Sequence, residues 1–306
     1  MSKNSSLTVM KDRDMHKVVV GQKVMHVVSQ FFLYLFLFFI ALIILFPFYW
    51  MVISSLKHLS EYTQTVPTFI PKVWDFKNYA EAFDTANLGR LFGNTVFVGV
   101  VSTILSLVIT ILSAFAFARL EFKGKNALFA GLLATMMIPG ELFTLTNYQT
   151  VHSLGWIGSE GLETYGFTVL IVPFLVSVFY IYLLKQNFMQ IPNELYLAAK
   201  VDGTGDFKYL CKVMIPLALP TIISITILKM MGSWNTYVWP NLVADSEKYW
   251  LVTNGLRKFS AVDEGGQVDI PVQMAAVAIV SAPLFMVFLF LRKYIMKGVS
   301  RSGIKG

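Results

Sequence analysis

FFLYLFLFFIALIILFPFYWMVI, residues 31–53, runs for 23 positions without a single charge. An α-helix rises about 1.5 Å per residue, so about 20 residues cross a hydrocarbon core roughly 30 Å thick. This stretch is long enough to span a membrane, and it is dominated by aliphatic and aromatic side chains. A cleaved signal sequence is the competing reading. The leader before the charge-free stretch is 23 residues long, however, the apolar run is too long for a signal core, and no small-residue cleavage site follows. We read it as a retained first span.

The rest of the chain agrees. Of its 306 residues 56% are hydrophobic and only 14% are charged, with a mean hydropathy of +0.62. A soluble domain carries about 25% charged residues to cover its surface. Further charge-free runs cover 91–118, 165–184 and 270–291. Two weaker runs are each interrupted by one charge: 126–148 contains Glu141 and 213–244 contains Lys229. The expectation is therefore an all-α, polytopic membrane protein with six transmembrane helices. Prolines within the runs (Pro47, Pro139, Pro173, Pro283) are tolerated in spans, where neighbours re-satisfy the freed carbonyls. The expected division is a tail over 1–23, a membrane domain over 24–295 and a second tail over 296–306.

Six spans place both termini on one side, and basic residues say which. The two tails and the 119–125 and 185–212 loops hold 17 Lys and Arg, whereas the 57–90, 146–164 and 245–269 loops hold 7. The positive-inside rule then puts both termini in the cytoplasm. The net charge of +7 is gathered at these membrane flanks, which argues against a nucleic-acid partner. The single Cys211 excludes an intrachain disulfide and any cysteine-based metal site. His16, His26, His58 and His152 lack ligand spacing, so no metal is expected. No phosphate-cradling P-loop occurs. Gly203-Thr-Gly205 begins a dinucleotide-like pattern, but Lys208 stands where its third glycine belongs. No catalytic site is read, and no cofactor is expected on this chain.

The 185–212 loop is the most informative stretch. Pro192 suits a helix start, 193–201 reads as a short helix, and Asp202-Gly203 signals a turn in which glycine supplies a positive φ. A second short helix is expected over about 205–212. Physics alone leaves two readings open: a solvated hairpin, or a short helix presented along the membrane to a soluble partner.

The residues Ile191-Pro192-x-Glu194-Leu195-x-x-Ala198-Ala199-x-x-Asp202-Gly203, followed by Pro216, resemble the "EAA" signature of ABC importer permeases. Other pieces agree: Pro47…Trp50…Ser55-x-Lys57, Asn78-Tyr79, AFAFARLEFKGK over 114–125, MMIPGE over 136–141, and Trp234-Asn235…Trp239-Pro240. The likeness covers nearly the whole chain and is nearest the second permease of maltose-type, MetI-like carbohydrate importers. It implies the type I ABC importer permease fold. It also implies a homologous second permease, a dimer of ATPase subunits that binds ATP and Mg, an extracellular solute-binding protein and a carbohydrate substrate, most simply an oligosaccharide. Glu194, Leu195, Leu197, Ala198, Ala199, Asp202 and Gly203 would form the coupling helix that sits on the ATPase. One departure stands out: Leu197 occupies the place of the family's usual Glu before the Ala pair, so docking is expected through shape and apolar contact. The Gly-rich end, with Gly298, Gly303 and Lys305, resembles the family's tail and would touch the ATPases.

Two further readings remain open. The aromatic outer half of the fifth span, Trp234, Tyr237 and Trp239 with Asn235, is either an interfacial belt or a stacking surface for sugar rings along the pathway. Glu141 and Lys229 lie at comparable depth and are either an intramembrane pair or separate groups, the lysine snorkelling. An ion-coupled secondary transporter and a glycerol-phosphate-type importer of the same family are the rival functions. The first lacks carboxylates at membrane depth beyond Glu141.

Overall fold

The computed structural model describes the backbone of residues 3–259 and 268–300, and the side chains of 25–290 within them except Ser159. Among these residues the chain is helical, with turns and no extended sheet. Helix α1 runs Lys3–Ser55 and passes through Pro47 without ending. After a connecting region that includes the short helix Lys77–Thr85, α2 spans Leu88–Arg119. The third expected span is two helices, α3 (Lys125–Thr135) and α4 (Gly140–Ser153), meeting at 96°. The fourth is also broken. Helix α5 (Thr168–Ile171) and a 3-10 turn ending at Phe174 meet α6 (Val178–Met189) at 49°. Then come α7 (Asn193–Val201), α8 (Ile215–Asn235) and α9 (Ile270–Ser300).

Among the described residues four helices are long and apolar enough to cross a membrane, and six spans result if each bent pair counts as one. The bends fall inside the expected runs 126–148 and 165–184, at Pro139 and just after Pro173. At the first, Pro139 disfavours helix at Ile138, so α3 ends and α4 restarts at Gly140 in a new direction. The second short helix expected over about 205–212 is not separate. A helical turn at Asp206–Tyr209 and a π-turn at Leu210–Met214 feed directly into α8, giving one rod over Asp206–Asn235.

Helix α2 sits at the centre, against α6 on one side and α8 on another, and α8 also packs α9. Its buried positions include Thr95, Gly99, Ser102, Thr103, Ser106, Thr110 and Ala114. Small residues let backbones approach closely where lipid offers no hydrophobic drive between helices. At Gly99 a Cβ would come within 2.9 Å of Met230 Sδ on α8, so only hydrogen fits without a shift. Helix α1 is different: its apolar surface from Phe31 to Phe46 is exposed on this chain. It packs at its far end, where Phe48 meets Phe285 of α9 edge-on at 5.2 Å.

The head of the connecting region is tied back to α1. Lys57 is buried, lies 4.7 Å from the Trp50 ring and donates to the Thr68 carbonyl. Asn78 Nδ2 donates to the carbonyls of Ser55 and Lys57 at 2.9 and 2.8 Å. Burial would raise the Glu61 carboxyl, but donors from Thr68 and the Lys72 backbone, with Lys57 nearby, hold it below its usual range. The quoted Trp50, Ser55, Lys57 and Asn78 thus meet in one knot.

Candidate functional site: a helical hairpin at the Lys/Arg-rich end

Helix α7 occupies residues 193–201, as its sequence suggests. It starts after Pro192, whose missing N–H would have been unpaired there anyway, and Glu194 sits in its first turn, where negative charge favours the helix dipole. Its end is a Schellman motif: Gly203, at φ +69°, donates to Lys200 O at 3.0 Å, and Thr204 donates to Ala199 O at 2.8 Å. That turn reverses the chain into α8.

Two polar clamps hold the hairpin. Arg119, at the last residue of α2, is buried and directs Nη2 to Phe188 O at 2.9 Å and Ile191 O at 2.5 Å. Phe188 lies in the last turn of α6 and Ile191 two residues beyond its end, so Arg119 ties the end of α6 to the link that leads into α7. The second clamp closes α7 onto the base of α8. Tyr196 donates its hydroxyl hydrogen to Asp206 Oδ1 at 2.7 Å, and Lys200 Nζ lies 2.8 Å from the same oxygen. The Tyr196 ring packs on Tyr209, with centroids 5.1 Å apart. Burial pushes the Tyr196 hydroxyl up, and the hydrogen bond to Asp206 pushes it further. The same carboxylate raises the Lys200 ammonium.

These contacts divide the faces of α7. Tyr196 and Ala199 turn inward and pack against a core that includes Phe115, Leu184, Phe188, Tyr209 and Met214. Glu194, Leu195, Leu197, Ala198, Asp202 and Gly203 are exposed, and Val201 is 88% exposed. Leu195, Leu197, Ala198 and Val201 thus give α7 an exposed apolar surface on a helix held from behind. Leu197, the residue that departs from the signature, belongs to that surface. The two alanines differ in setting: Ala198 is exposed, whereas Ala199 is half-buried against this core.

The remaining candidates lie elsewhere. Trp239 is buried, donates Nε1 to Val169 O at 3.0 Å and meets Phe174 edge-on. Trp234 is buried against Phe92 at 5.7 Å. Asn235 and Tyr237 are exposed. Trp239 nonetheless contributes to the wall of a cavity beside α8. Glu141 and Lys229 do not pair: Lys229 Nζ donates to Phe174 O at 2.7 Å, while Glu141 is exposed beside the 96° bend. The bend swings Glu141 off the course of a straight span. Lys229 therefore meets a broken helix's carbonyl and does not snorkel. Gly298 lies in the backbone of α9; Gly303 and Lys305 lie outside the described residues. No group of His, Cys, Asp or Glu that could hold a metal occurs among the described residues.

Sequence reasoning missed Arg119 and Tyr196. Arg119 entered only as one of the basic residues beside a span and within the quoted 114–125 stretch, with no contact assigned to it. Its signal was position: the cation that ends AFAFAR, closing a charge-free run over 91–118.

The fold and its exposed hairpin define a multi-pass membrane permease. The chain belongs to the family described as "Binding-protein-dependent transport system inner membrane component", which it matches over residues 9–301. It is 30% identical over 275 residues to the arabinooligosaccharides transport system permease protein of Bacillus subtilis, covering 89% of this chain and 94% of that one. It is 27% identical to the diacetylchitobiose uptake system permease protein of Streptomyces coelicolor, over 85% and 84% of the two chains. A chain of a bacterial ABC transporter involved in import of the acidic polysaccharide alginate superposes with a TM-score of 0.75. That match has 23% identity and covers 85% of this chain and 94% of that one.

Proposed function

We propose that this permease carries an oligosaccharide across the membrane together with a second, homologous permease, driven by separate ATPase subunits that dock on α7. The observation that carries this reading is the exposed apolar face of α7 on a helix held from behind by Arg119 and by the Tyr196–Asp206–Lys200 clamp. A surface helix free to move would dissipate a push. A clamped one transmits it into α6 and α8 as a rigid-body displacement. The named relatives that carry arabinooligosaccharides and diacetylchitobiose support a carbohydrate cargo. The Lys/Arg asymmetry supports a cytoplasmic position for α7 and for both termini. A solute-binding protein would deliver the cargo on the opposite side. The residues Gly298, Gly303 and Lys305 are proposed to add a second ATPase contact.

The test is uptake by the assembled complex in proteoliposomes. Transport should need ATP and the binding protein, and should persist when the proton and sodium gradients are collapsed. Uptake driven by an ion gradient without ATP would overturn the reading.

A further inference from the structure

A cavity of about 360 Å³ opens where the fourth span is broken. The wall comes from α2, α6, α8 and the segment around Phe174. Its polar side chains are Ser102, Ser177, Tyr180, Lys229, Ser233 and Thr236. No carboxylate is among the lining residues. The volume is at the small end of the range of about 300–1,000 Å³ for ligand pockets, which suits one sugar ring with its substituents.

Lys229 sets the character of the site. An ammonium has three donors, and one is spent on the carbonyl of Phe174 that the break exposes. None of the ion pairs among the described residues involves it. A charge held at membrane depth is costly, and such groups mark substrate paths. Broken helices at that depth offer free backbone groups to a ligand. One turn along α8 from the lysine, on the same face, Ser233 Oγ lies 3.2 Å from Ser102 Oγ of α2, and this rotatable hydroxyl can turn to a guest. Together these give a cation, a set of rotatable hydroxyls and an aromatic wall from Trp239 and Tyr180.

We propose that this cavity is a subsite for an anionic carbohydrate, a sugar bearing a carboxylate or a phosphate, with Lys229 as its charge partner. The proposal deepens the reading of the chain as a carbohydrate permease and rests on it. Three probes with one ring test it: galactose, galacturonate and galactose 6-phosphate. Binding is measured on the purified transporter complex without its binding protein, so that selection upstream plays no part. At least one anionic probe should bind tenfold or more tightly than galactose, and whichever does names the anion. Lys229→Met should abolish the preference, Lys229→Arg should keep it, and Lys248→Met, at an exposed lysine outside the cavity, should leave it unchanged. Equal binding of all three probes, or a preference that survives Lys229→Met, overturns the subsite. Should Lys229→Met fail to assemble, the wild-type comparison of probes still decides. Proteoliposome uptake separates the two levels. A complex that moves neutral oligosaccharide but shows no anion preference loses only the subsite; one that moves no carbohydrate loses the function beneath it.

Discussion

The α6–α7–α8 hairpin and the third span both interrupt helix near a proline and a glycine, yet they are built on opposite terms. In the hairpin every turn has a directional partner: Arg119 gathers the carbonyls of α6, Gly203 closes α7, and Tyr196 and Lys200 meet on Asp206. At the bend between α3 and α4, Pro139 breaks the helix and little packs behind it. Met137 is 86% exposed, and Leu142 and Leu145 are exposed as well. The lesson is that one break is rigid within the chain, whereas the other is completed by something outside it, lipid or a second subunit. Substitutions should therefore act on coupling in the first region and on assembly in the second.

The largest effect is expected at Gly203. An added Cβ would meet nothing within 4 Å, so the penalty is conformational: a non-glycine residue at φ +69° costs roughly 1–2 kcal/mol, and more for a β-branched one. Gly203→Val should cut coupled transport at least tenfold. Gly203→Asn, which tolerates the left-handed region, should recover most of it. Equal loss in both would point to a steric role and break the comparison. Arg119→Met comes next. It removes the charged donor from the Ile191 and Phe188 carbonyls, the second of which keeps a backbone donor from Ile191 at 3.3 Å, at about 1.5–3 kcal/mol for a charged hydrogen bond. Thermal unfolding of the purified permease should register that destabilisation, and an unchanged transition would show that α6 holds itself.

Tyr196→Phe removes only the hydroxyl on Asp206. A loss of about 1 kcal/mol is expected, smaller than at Arg119, measured as a lower melting temperature with assembly intact. The Lys200 contact has a defined pH window. Its ammonium is raised in the fold, so its contribution is fully present below the usual lysine value of about 10.4 and is lost only as pH climbs past it. Coupling should not change between neutral pH and pH 9 on its account. Glu61 has the opposite sign. Its carboxyl is lowered, so its hold on the 68–72 segment is present above about 4.3 and fades as pH falls below that. Protease cleavage in that segment should rise only in acid, and a rise that begins near neutral pH would assign the segment's hold to another group.

Much of this was legible from residues. The short helix over 193–201 and its glycine turn follow from Pro192 and Asp202-Gly203, because both residues act on the local backbone alone. The spans followed from apolar length for the same reason. What stayed hidden depends on distant partners. Nothing near Arg119 in sequence shows that Phe188 and Ile191 lie beside it. Tyr196 looked like a bland position on α7, and only the fold brings Asp206 to its hydroxyl. The angle at Pro139 was equally invisible: a proline announces a break, but its direction is set by packing. Trp234 illustrates the limit from the other side, since aromatic composition does not distinguish a ring buried against Phe92 from one open to a sugar.

The most direct test of the central claim is a single bulky residue on the outer face of α7. Ala198 is exposed, so Ala198→Trp disturbs neither the clamp nor the core, whereas the same change at Ala199 would also break internal packing. The measurement is ATPase co-purification and ATP-dependent uptake by the assembled complex, with wild-type insertion and melting temperature verified alongside. The predicted result is a permease that inserts and melts as wild type but loses its ATPase subunits or its coupled transport. Wild-type assembly and transport rate in Ala198→Trp would contradict it and leave α7 a hairpin with no partner.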